Sequence, residues 1–320
     1  MFSATDSLIE CVPNFSEGRN KQTIDAIAQS IIKTKDVKLL HIDIGFDANR
    51  TVFTFVGKPN AVADAAFNAI CVAQQLIDMR MHKGAHPRMG ACDVCPLIPF
   101  QNCTMNEAIE LSYKLGKRIG NIGIPVYLYE QSAQNNFRNK LADIRKGEYE
   151  AIPEKLKESN WKPDFGESIF NEKFGMMALG ARNFLIAFNI NLVTKDIAIA
   201  KAIAKKIRTI RNLNNESYLS ILFQHVRAIG WYMDTYQCAQ ISTNIVDIHK
   251  SPIIDVFKAI QQIANDFGTS TNGSELVGLI PLNALQHSTY SIDEAIEYLG
   301  LNSIKPFDKE MNIIEYLLFK

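Results

Sequence analysis

The spacing of apolar residues in the first hundred positions predicts a βαββαβ unit. Apolar residues three and four positions apart predict helices, and short apolar or alternating runs predict strands, in the order strand 8–13, helix 20–33, strands 40–44 and 51–56, helix 61–79 and strand 92–98. In the second strand, a period of two places Leu40, Ile42 and Ile44 on one face. Asp43 then lies on the opposite face, away from the apolar side chains.

A helix, a strand and a long irregular stretch follow this unit. Thr104 and Glu107 have the spacing of a capping box, which predicts a helix that ends near residue 118. Residues 124–129 are strand-like. Residues 130–175 show no sustained period, so we expect a long loop with short helical turns. Loops of this length are more often functional or connecting than idle.

The rest of the chain repeats the same order of elements. The pattern predicts a strand, a helix, two strands, a helix and a closing strand, over residues 184–192, 196–209, 222–233, 238–248, 252–268 and 276–280. Ser291 and Glu294 have the spacing of a second capping box. We therefore expect an α+β protein with two ferredoxin-like lobes, in residues 1–180 and 181–320, with mixed sheets and helices on their outer faces.

The composition narrows the class of protein. In 320 residues, 34 basic side chains balance 34 acidic ones, so the chain has no overall field that would attract nucleic acid or anionic lipid. The longest apolar runs are interrupted by polar residues, and no signal-like segment opens the chain, which predicts a cytoplasmic protein without a membrane span. Six scattered cysteines predict reduced thiols. Small-molecule chemistry is favoured.

The segment from Met81 to Gly90 is the strongest candidate site. Gly84, Pro87 and Gly90 exclude a regular helix, so these residues form an irregular loop between a helix and a buried strand. The loop gathers four side chains that suit proton transfer beside an anionic substrate: His82, Lys83, His86 and Arg88.

Plainer interpretations of these side chains stay open. His86 can be a histidine that is hydrogen-bonded within an ordered loop, and Lys83 and Arg88 can be solvated surface charges. His82 and His86 have the four-residue spacing of a zinc pair, but the intervening glycine and the following proline break the helix, so we expect no metal. Nucleotide-binding and serine-hydrolase motifs are missing from the sequence, which removes the usual support for those functions.

Several long motifs occur in order along almost the whole chain. They include Glu10-Cys-Val-Pro-Asn-Phe-Ser-Glu-Gly18, Asn49-Arg-Thr-Val52, His82-Lys-Gly-Ala-His-Pro-Arg-Met-Gly90 and Gly180-Ala-Arg-Asn-Phe-Leu-Ile-Ala-Phe-Asn-Ile-Asn-Leu192. Together these motifs closely resemble the glutamate formimidoyltransferase family. The resemblance implies transfer of the formimino group from N-formimino-L-glutamate to N5 of tetrahydrofolate, a late step of histidine degradation.

The resemblance also implies roles for individual residues. The family's catalytic histidine precedes Pro-Arg-Met-Gly, which makes it His86 here, and it accepts the N5 proton. Asp43 matches an acidic family position whose carboxylate holds the cationic amidine. Cations in matching motifs are expected to bind the glutamate carboxylates: Arg50, Lys83, Arg88 and Arg182. The family's folate site falls on Gly166, Glu167, Ser168, Ile169, Phe170, Asn171, Glu172, Lys173, Phe174 and Gly175.

Further expectations concern partners and competing functions. Animal relatives carry a cyclodeaminase domain after the transferase, so the resemblance implies a chain that transfers but does not deaminate, with a separate cyclodeaminase to process the product. It also implies a homodimer that uses tetrahydrofolate as acceptor and no metal. Two alternatives stay open. One is formyl transfer between 5-formyltetrahydrofolate and glutamate, against which Asp43 favours the charged amidine; the other is a folate-binding module without catalysis.

Overall fold

A mixed seven-stranded sheet forms the framework of the N-terminal part of the chain. The computed structural model describes residues 2–213, 215–234, 236–304 and 306–319, and the chain divides into two units, Met1–Arg182 and Asn183–Lys320. The strands of the first unit are β1 (Leu8–Cys11), β2 (Asn14–Phe15), β3 (Val37–Gly45), β4 (Arg50–Gly57), β5 (Cys92–Gln101), β6 (Val126–Leu128) and β7 (Met177–Ala181).

The strand order of this sheet is a ferredoxin-like arrangement with two additional strands. β3 pairs with β4, β4 pairs with β1 and β2, and these two pair with β5, always antiparallel. β5 then pairs in parallel with β7, and β7 pairs in parallel with β6. The βαββαβ prediction for the first hundred residues is therefore confirmed, and the sheet continues beyond it.

Three long helices of this unit agree with the predictions, two from apolar stripes and one from a capping box. They are α1 (Lys21–Ile32), α2 (Pro59–Leu76) and α3 (Met105–Gly120). Asn20 caps α1 by accepting hydrogen bonds from two amides of its first turn, and Thr104 and Glu107 form the predicted capping box of α3. The buried faces of the helices share one core with strand residues such as Phe53 and Phe55. These helix predictions are confirmed.

The irregular stretch covers other side chains of the same sheet. Between β6 and β7 the chain forms the short helices α4 (Leu141–Arg145) and α5 (Ile152–Lys155) and the 3-10 turns Glu130–Ser132, Asn136–Arg138, Tyr149–Ala151 and Ser159–Trp161. Its buried residues Ile144, Ile152 and Trp161 pack in a second core with Tyr127 and Val94 of the strands. The predicted loop with short helical turns is thus confirmed.

Two features of this sheet differ from the predicted pattern, and the first is a bulge in β3. The register against β4 shifts between Leu39 and His41, so Leu39 and Ile42 pack on the core. The predicted apolar face is wrong at Leu40, which takes no place in that core, and at Ile44, which is exposed. Asp43 is exposed and lies off the core, as expected.

The second difference is β7, which the pattern did not predict. All five residues of Met177–Ala181 are buried, because β5 and β6 flank the strand and a core packs on each face. A strand that is buried on both faces has no alternation of apolar and polar residues. Gly180 also allows a close approach, since a Cβ there would lie 2.3 Å from the carbonyl oxygen of Tyr129.

The second unit contains a four-stranded sheet. Its strands β8 (Ile186–Leu192), β9 (Val226–Met233), β10 (Cys238–Ile245) and β11 (Thr271–Val277) lie in the order β11-β8-β10-β9. Its helices are α6 (Ile197–Arg211), α7 (Tyr218–Phe223), α8 (Ile253–Asp266), α9 (Leu282–Leu285), α10 (Ile292–Tyr298), α11 (Lys309–Asn312) and α12 (Ile314–Leu318). Ile207 of α6 and Ile260 of α8 share a core with Phe188 of β8. Ser291 and Glu294 form the predicted capping box.

The predicted α+β class with two ferredoxin-like lobes is confirmed, with corrections in the second unit. We expected a mixed sheet there, but all three strand pairings within the described residues are antiparallel. The physical reason is that β10 separates β8 from β9, the strand that runs in the same direction as β8. The closing strand begins at Thr271 rather than at 276. Its first residues lack a regular apolar pattern because several of them are polar and the register shifts beside Gly273. None of the helices within the described residues has the length and apolar character that a membrane crossing requires.

Candidate active site

The loop that carries His86 is held by backbone contacts on several sides. It follows a 3-10 turn, Met79–Met81, and ends where β5 begins. The amide of Ala85 donates to the carbonyl of Asp47 at 3.0 Å. A Cβ at Gly84 would lie 2.1 Å from the carbonyl oxygen of Ala48, so only glycine permits this approach to the β3–β4 turn. The loop is therefore fixed against the start of β4.

The half-buried ring of His86 has a defined arrangement of its two nitrogens. Nδ1 lies 2.7 Å from the carbonyl oxygen of Pro87, and a carbonyl oxygen can only accept a hydrogen bond. Nδ1 of the neutral ring therefore carries the proton, and Nε2 carries the lone pair. Nη1 of Arg50 lies 2.5 Å from Nε2 and 2.6 Å from Nδ1. In this tautomer Nε2 is the only ring nitrogen that can accept a hydrogen bond from Arg50. The base on His86 is thus Nε2, and the guanidinium occupies its lone pair in the free protein.

The surroundings of His86 keep its ring uncharged. Burial lowers the pKa of His86 to about 4, and the cations Arg50 and Arg145 act in the same direction. The hydrogen bond to Pro87 and the carboxylate of Asp93 oppose this shift only in part. At neutral pH the ring is therefore a hydrogen-bond and proton acceptor rather than a cation.

Arg50 is the first residue of β4 and connects the loop to the sheet. Its Nη2 donates to Oδ1 of Asn14, while its Nε is buried without a hydrogen-bond partner among the described residues. Burial lowers the pKa of Arg50 to about 10, whereas the carboxylates of Asp93 and Asp43 favour its charge. The exposed Asp43, paired in register with Val52 on the neighbouring strand, is thus electrostatically coupled to Arg50.

Asp93 and Arg145 form a buried ion pair behind the loop. Nη2 of Arg145 donates to Oδ2 of Asp93 at 2.5 Å, and the amide of Met89 donates to Oδ1 at 2.9 Å. The side chain of Asp93 is 1% exposed and that of Arg145 is 16% exposed. One carboxylate therefore holds both the end of the His86 loop and the cation that α4 contributes.

Replacement of Asp93 with asparagine should lower the free energy of unfolding by about 3–5 kcal/mol, because it removes one partner of a buried ion pair. Chemical denaturation measures this change. The matched control is Asp25→Asn, which breaks the exposed Lys21–Asp25 pair on α1 and should change stability little. Equal effects of the two substitutions would contradict a supporting role for Asp93.

Arg88 is already engaged by acidic side chains. Its two terminal nitrogens donate to the carboxylate of Glu150 at 2.7 and 2.8 Å, and Nη1 also donates to Glu148 at 3.1 Å. These hydrogen bonds raise the pKa of Arg88. The amide of Tyr149 donates to the carbonyl of Arg88 at 2.9 Å. Arg88 therefore joins the His86 loop to residues 148–150.

The other predicted cations differ in their surroundings. The side chain of Lys83 is exposed, and its carbonyl accepts a hydrogen bond from Nδ2 of Asn49 at 3.1 Å. The amide of Arg182 donates to the carbonyl of Leu97, and its side chain lies close enough to Tyr129 to oppose the raised pKa that burial gives that phenol. Lys83 therefore lies within the His86 loop and Arg50 contacts it, whereas Arg182 adjoins Tyr129.

The predicted folate segment, residues 166–175, is attached to both ends of the His86 loop. The amide of Met79 donates to the carbonyl of Lys173 at 2.9 Å, and the amide of Ala91 donates to the carbonyl of Phe174 at 2.7 Å. Gly166 and Gly175 have φ angles of 85° and 82°, which favour glycine. Residues 166–169 and 172 are exposed. The segment thus presents side chains to solvent beside the loop.

Sequence reasoning did not select four residues of this network: Asn14, Asn49, Asp93 and Arg145. Asn14, Asn49 and Asp93 lie within or beside the motifs that carry the family resemblance, so that resemblance could have indicated them. Arg145 lies in the irregular stretch and gave no local signal. Within the described residues, no cluster of three or more His, Cys, Asp or Glu side chains is placed to hold a metal ion.

A neutral histidine beside a partly buried arginine, on a ferredoxin-like scaffold, defines a candidate acid–base site for an anionic small molecule. The chain belongs to the formiminotransferase family. Residues 8–182 match the N-terminal subdomain of the formiminotransferase domain, and residues 187–319 match the formiminotransferase domain. The resemblance that the motifs indicated is confirmed.

Relatives of two architectures are similar to this chain. It is 43% identical over 330 residues to a formimidoyltransferase-cyclodeaminase of Dictyostelium discoideum, with 98% of this chain and 60% of the relative covered. It is 41% identical over 312 residues to a glutamate formimidoyltransferase of Thermoplasma acidophilum, with 97% and 96% covered. A glutamate formimidoyltransferase of Streptococcus pyogenes serotype M1 is 40% identical over 309 residues, with 96% and 97% covered. The chain thus spans 60% of the bifunctional relative and nearly all of the other two.

Proposed function

We propose that this chain is a glutamate formimidoyltransferase, which transfers the formimino group from N-formimino-L-glutamate to N5 of tetrahydrofolate. The products are 5-formimidoyltetrahydrofolate and L-glutamate. The relatives named for this activity support the proposal. The single observation that carries the chemistry is the neutral His86 with the lone pair of Nε2 beside Arg50.

In the proposed mechanism His86 moves one proton. N5 of tetrahydrofolate attacks the amidine carbon, and Nε2 of His86 accepts the proton that N5 loses. The tetrahedral intermediate then breaks its bond to the glutamate nitrogen, and His86 returns the proton to that leaving amine. Atoms and charge balance in this mechanism, because one C–N bond forms, one C–N bond breaks, and the imidazole ends uncharged as it began.

We propose that Arg50 binds a carboxylate of the donor. In the free protein its guanidinium faces His86 and lowers the basicity of the ring. A carboxylate paired with Arg50 offsets that positive charge, so the pKa of His86 should rise toward neutrality in the donor complex. We assign Lys83 and Arg182 to further contacts with donor or folate carboxylates. For Arg88 the contacts with Glu148 and Glu150 favour a role in holding the loop.

We propose that Asp43 stabilises the positive charge of the amidine. Its exposed carboxylate and its electrostatic coupling to Arg50 support a place beside the donor. Replacement of Asp43 with asparagine should therefore reduce formimino transfer more than formyl transfer, because the formyl group carries no positive charge. Steady-state rates with both donors measure the ratio. Equal losses of rate for both donors would contradict the proposed stabilisation of the amidine charge by Asp43.

Residues 166–175 are the proposed folate site, and tetrahydrofolate is the proposed acceptor. The exposed side chains Glu167, Ser168 and Ile169, beside the partly buried Phe170, offer polar and apolar contacts next to the His86 loop. We further propose a place in histidine degradation, a cytoplasmic location, a homodimer and a cyclodeaminase as the enzyme that consumes the product. These four statements rest on the family resemblance.

Turnover with two donors side by side tests the proposed function. Tetrahydrofolate is supplied with either formiminoglutamate or N-formylglutamate, and the folate product is followed by absorbance. We expect rapid transfer from formiminoglutamate and much slower transfer from N-formylglutamate. The reverse preference would favour the formyl-transfer alternative. Tetrahydrofolate binding without turnover of either donor would favour a folate-binding module without catalysis.

A further inference from the structure

Asn49 joins three segments at the start of β4. It is buried, and its φ of 47° lies in the left-handed region that non-glycine residues rarely adopt. Its Oδ1 accepts from the amide of Gly18 at 2.9 Å, and its Nδ2 donates to the carbonyl of Lys83 at 3.1 Å. Because the next residue is Arg50, the orientation of this peptide sets the direction in which the arginine leaves the strand.

His82 holds the carbonyl of the same peptide. Its Nε2 lies 2.8 Å from the carbonyl oxygen of Asn49, and since that oxygen only accepts, Nε2 must carry the proton. His82 is 8% exposed, and its ring Nδ1 has no hydrogen-bond partner among the described residues. Burial lowers the pKa of His82, and the charged groups that face it are Arg88, Glu17 and Arg19. The neutral ring therefore makes one hydrogen bond among the described residues, from Nε2 to the carbonyl of Asn49.

The space around this peptide leaves little freedom for Arg50. A Cβ at Gly18 would lie 2.6 Å from the amide nitrogen of Arg50 and 2.4 Å from the carbonyl oxygen of Gly45. The start of β4 is thus packed against Gly18 on one side, while Asn49 is bonded to His82 on another. A shift of the Asn49 carbonyl would move the base of the arginine side chain whose Nη1 contacts His86.

We propose that His82 is a positioning residue, which holds the Asn49 peptide and thereby directs Arg50 onto His86. The inference deepens the proposed function, since it explains how the substrate-binding arginine is kept beside the base. His82 takes no part in proton transfer in this account. Its single role is the hydrogen bond from Nε2 to the carbonyl of Asn49.

Two substitutions of similar size separate this role from a general packing role. In His82→Gln the amide nitrogen occupies the place of Nε2 and can still donate to Asn49, whereas in His82→Asn the shorter side chain places its nitrogen near Nδ1 and loses that hydrogen bond. His225→Gln is the matched control, because His225 is a partly buried histidine of the other unit. All three variants are compared with wild type for thermal stability.

The first readout is the pKa of His86, measured by NMR titration without any substrate. In His82→Asn we expect the pKa of His86 to rise above its wild-type value of about 4, because Arg50 no longer faces the ring; burial, the largest cause of the low pKa, still keeps it below the ordinary value. In His82→Gln and His225→Gln it should stay near the wild-type value. A pKa of His86 that is unchanged in His82→Asn, or that moves equally in the Gln and Asn variants, would overturn the proposal.

The second readout is transfer activity. We expect kcat/KM for formiminoglutamate to fall about tenfold or more in His82→Asn and to be largely kept in His82→Gln, because only the latter keeps the hydrogen bond that positions Arg50. A loss of thermal stability in His82→Asn with unchanged kcat/KM would show a merely structural role and overturn the proposal. If wild type transferred no formimino group, the proposed function would fail, and the titration of His86 would still decide the role of His82.

Discussion

Replacement of His86 with alanine should lower kcat for formimino transfer by about 10²- to 10⁴-fold, while the affinity for tetrahydrofolate changes little. The decrease in kcat has the size expected for the loss of a positioned general base. The affinity for tetrahydrofolate should stay unchanged because the ring accepts a proton and does not bind the pterin. Absorbance-monitored turnover measures kcat, and direct titration with tetrahydrofolate measures binding. The control is His249→Ala, which changes an exposed histidine of the other unit.

The separation between kcat and affinity makes this prediction specific. If the His86 variant kept an activity within tenfold of wild type, another group would have to move the N5 proton. If tetrahydrofolate binding fell as steeply as kcat, the ring would act by holding the acceptor. Either result would remove the role assigned to His86, because that role is confined to proton transfer.

Replacement of Arg50 with methionine should lower kcat/KM for formiminoglutamate by about 10- to 100-fold. The substitution removes a charge-assisted contact with a donor carboxylate, which is typically worth about 1.5–3 kcal/mol. It should also raise the pKa of His86, because the nearest cation is removed from the ring. The acid limb of the kcat/KM profile, which reports groups of the free enzyme, should therefore move to higher pH.

The matched control for Arg50 is Arg118→Met, which breaks the exposed ion pair of Arg118 with Asp64 on the surface of the first unit. It should leave both kcat/KM and the pH profile unchanged. An Arg50 variant with a reduced kcat/KM but an unmoved acid limb would mean that the arginine binds substrate without affecting the base. A variant with unchanged kcat/KM would contradict its role in donor binding.

Much of the fold follows from the sequence because its long helices are amphipathic. The stripes of α1 and α2 and the two capping boxes needed no tertiary information. The differences arise where tertiary structure overrides local pattern. The buried strand β7 has no alternation to detect, and the bulge in β3 exchanges which residues face the core.

The candidate site was predictable in its chemistry but not in its contacts. The loop of residues 82–90 is a candidate because histidine, cations, glycine and proline occur together, and the structure confirms only its predicted place before the buried strand β5. The hydrogen bonds of Arg50 to Asn14 and of Arg145 to Asp93 join residues that are far apart in sequence. Periodicity reports on neighbours one or two turns away, so it carries no information on such pairs.

The protonation state of His86 in the free protein tests the central claim most directly. A ¹⁵N-edited NMR titration of the imidazole nitrogens gives both the pKa and the tautomer of this residue. We expect a pKa of His86 of about 4 and, at neutral pH, a proton on Nδ1 with an unprotonated Nε2. A pKa of His86 at or above its ordinary value of about 6.5, or a neutral ring protonated at Nε2, would contradict the account.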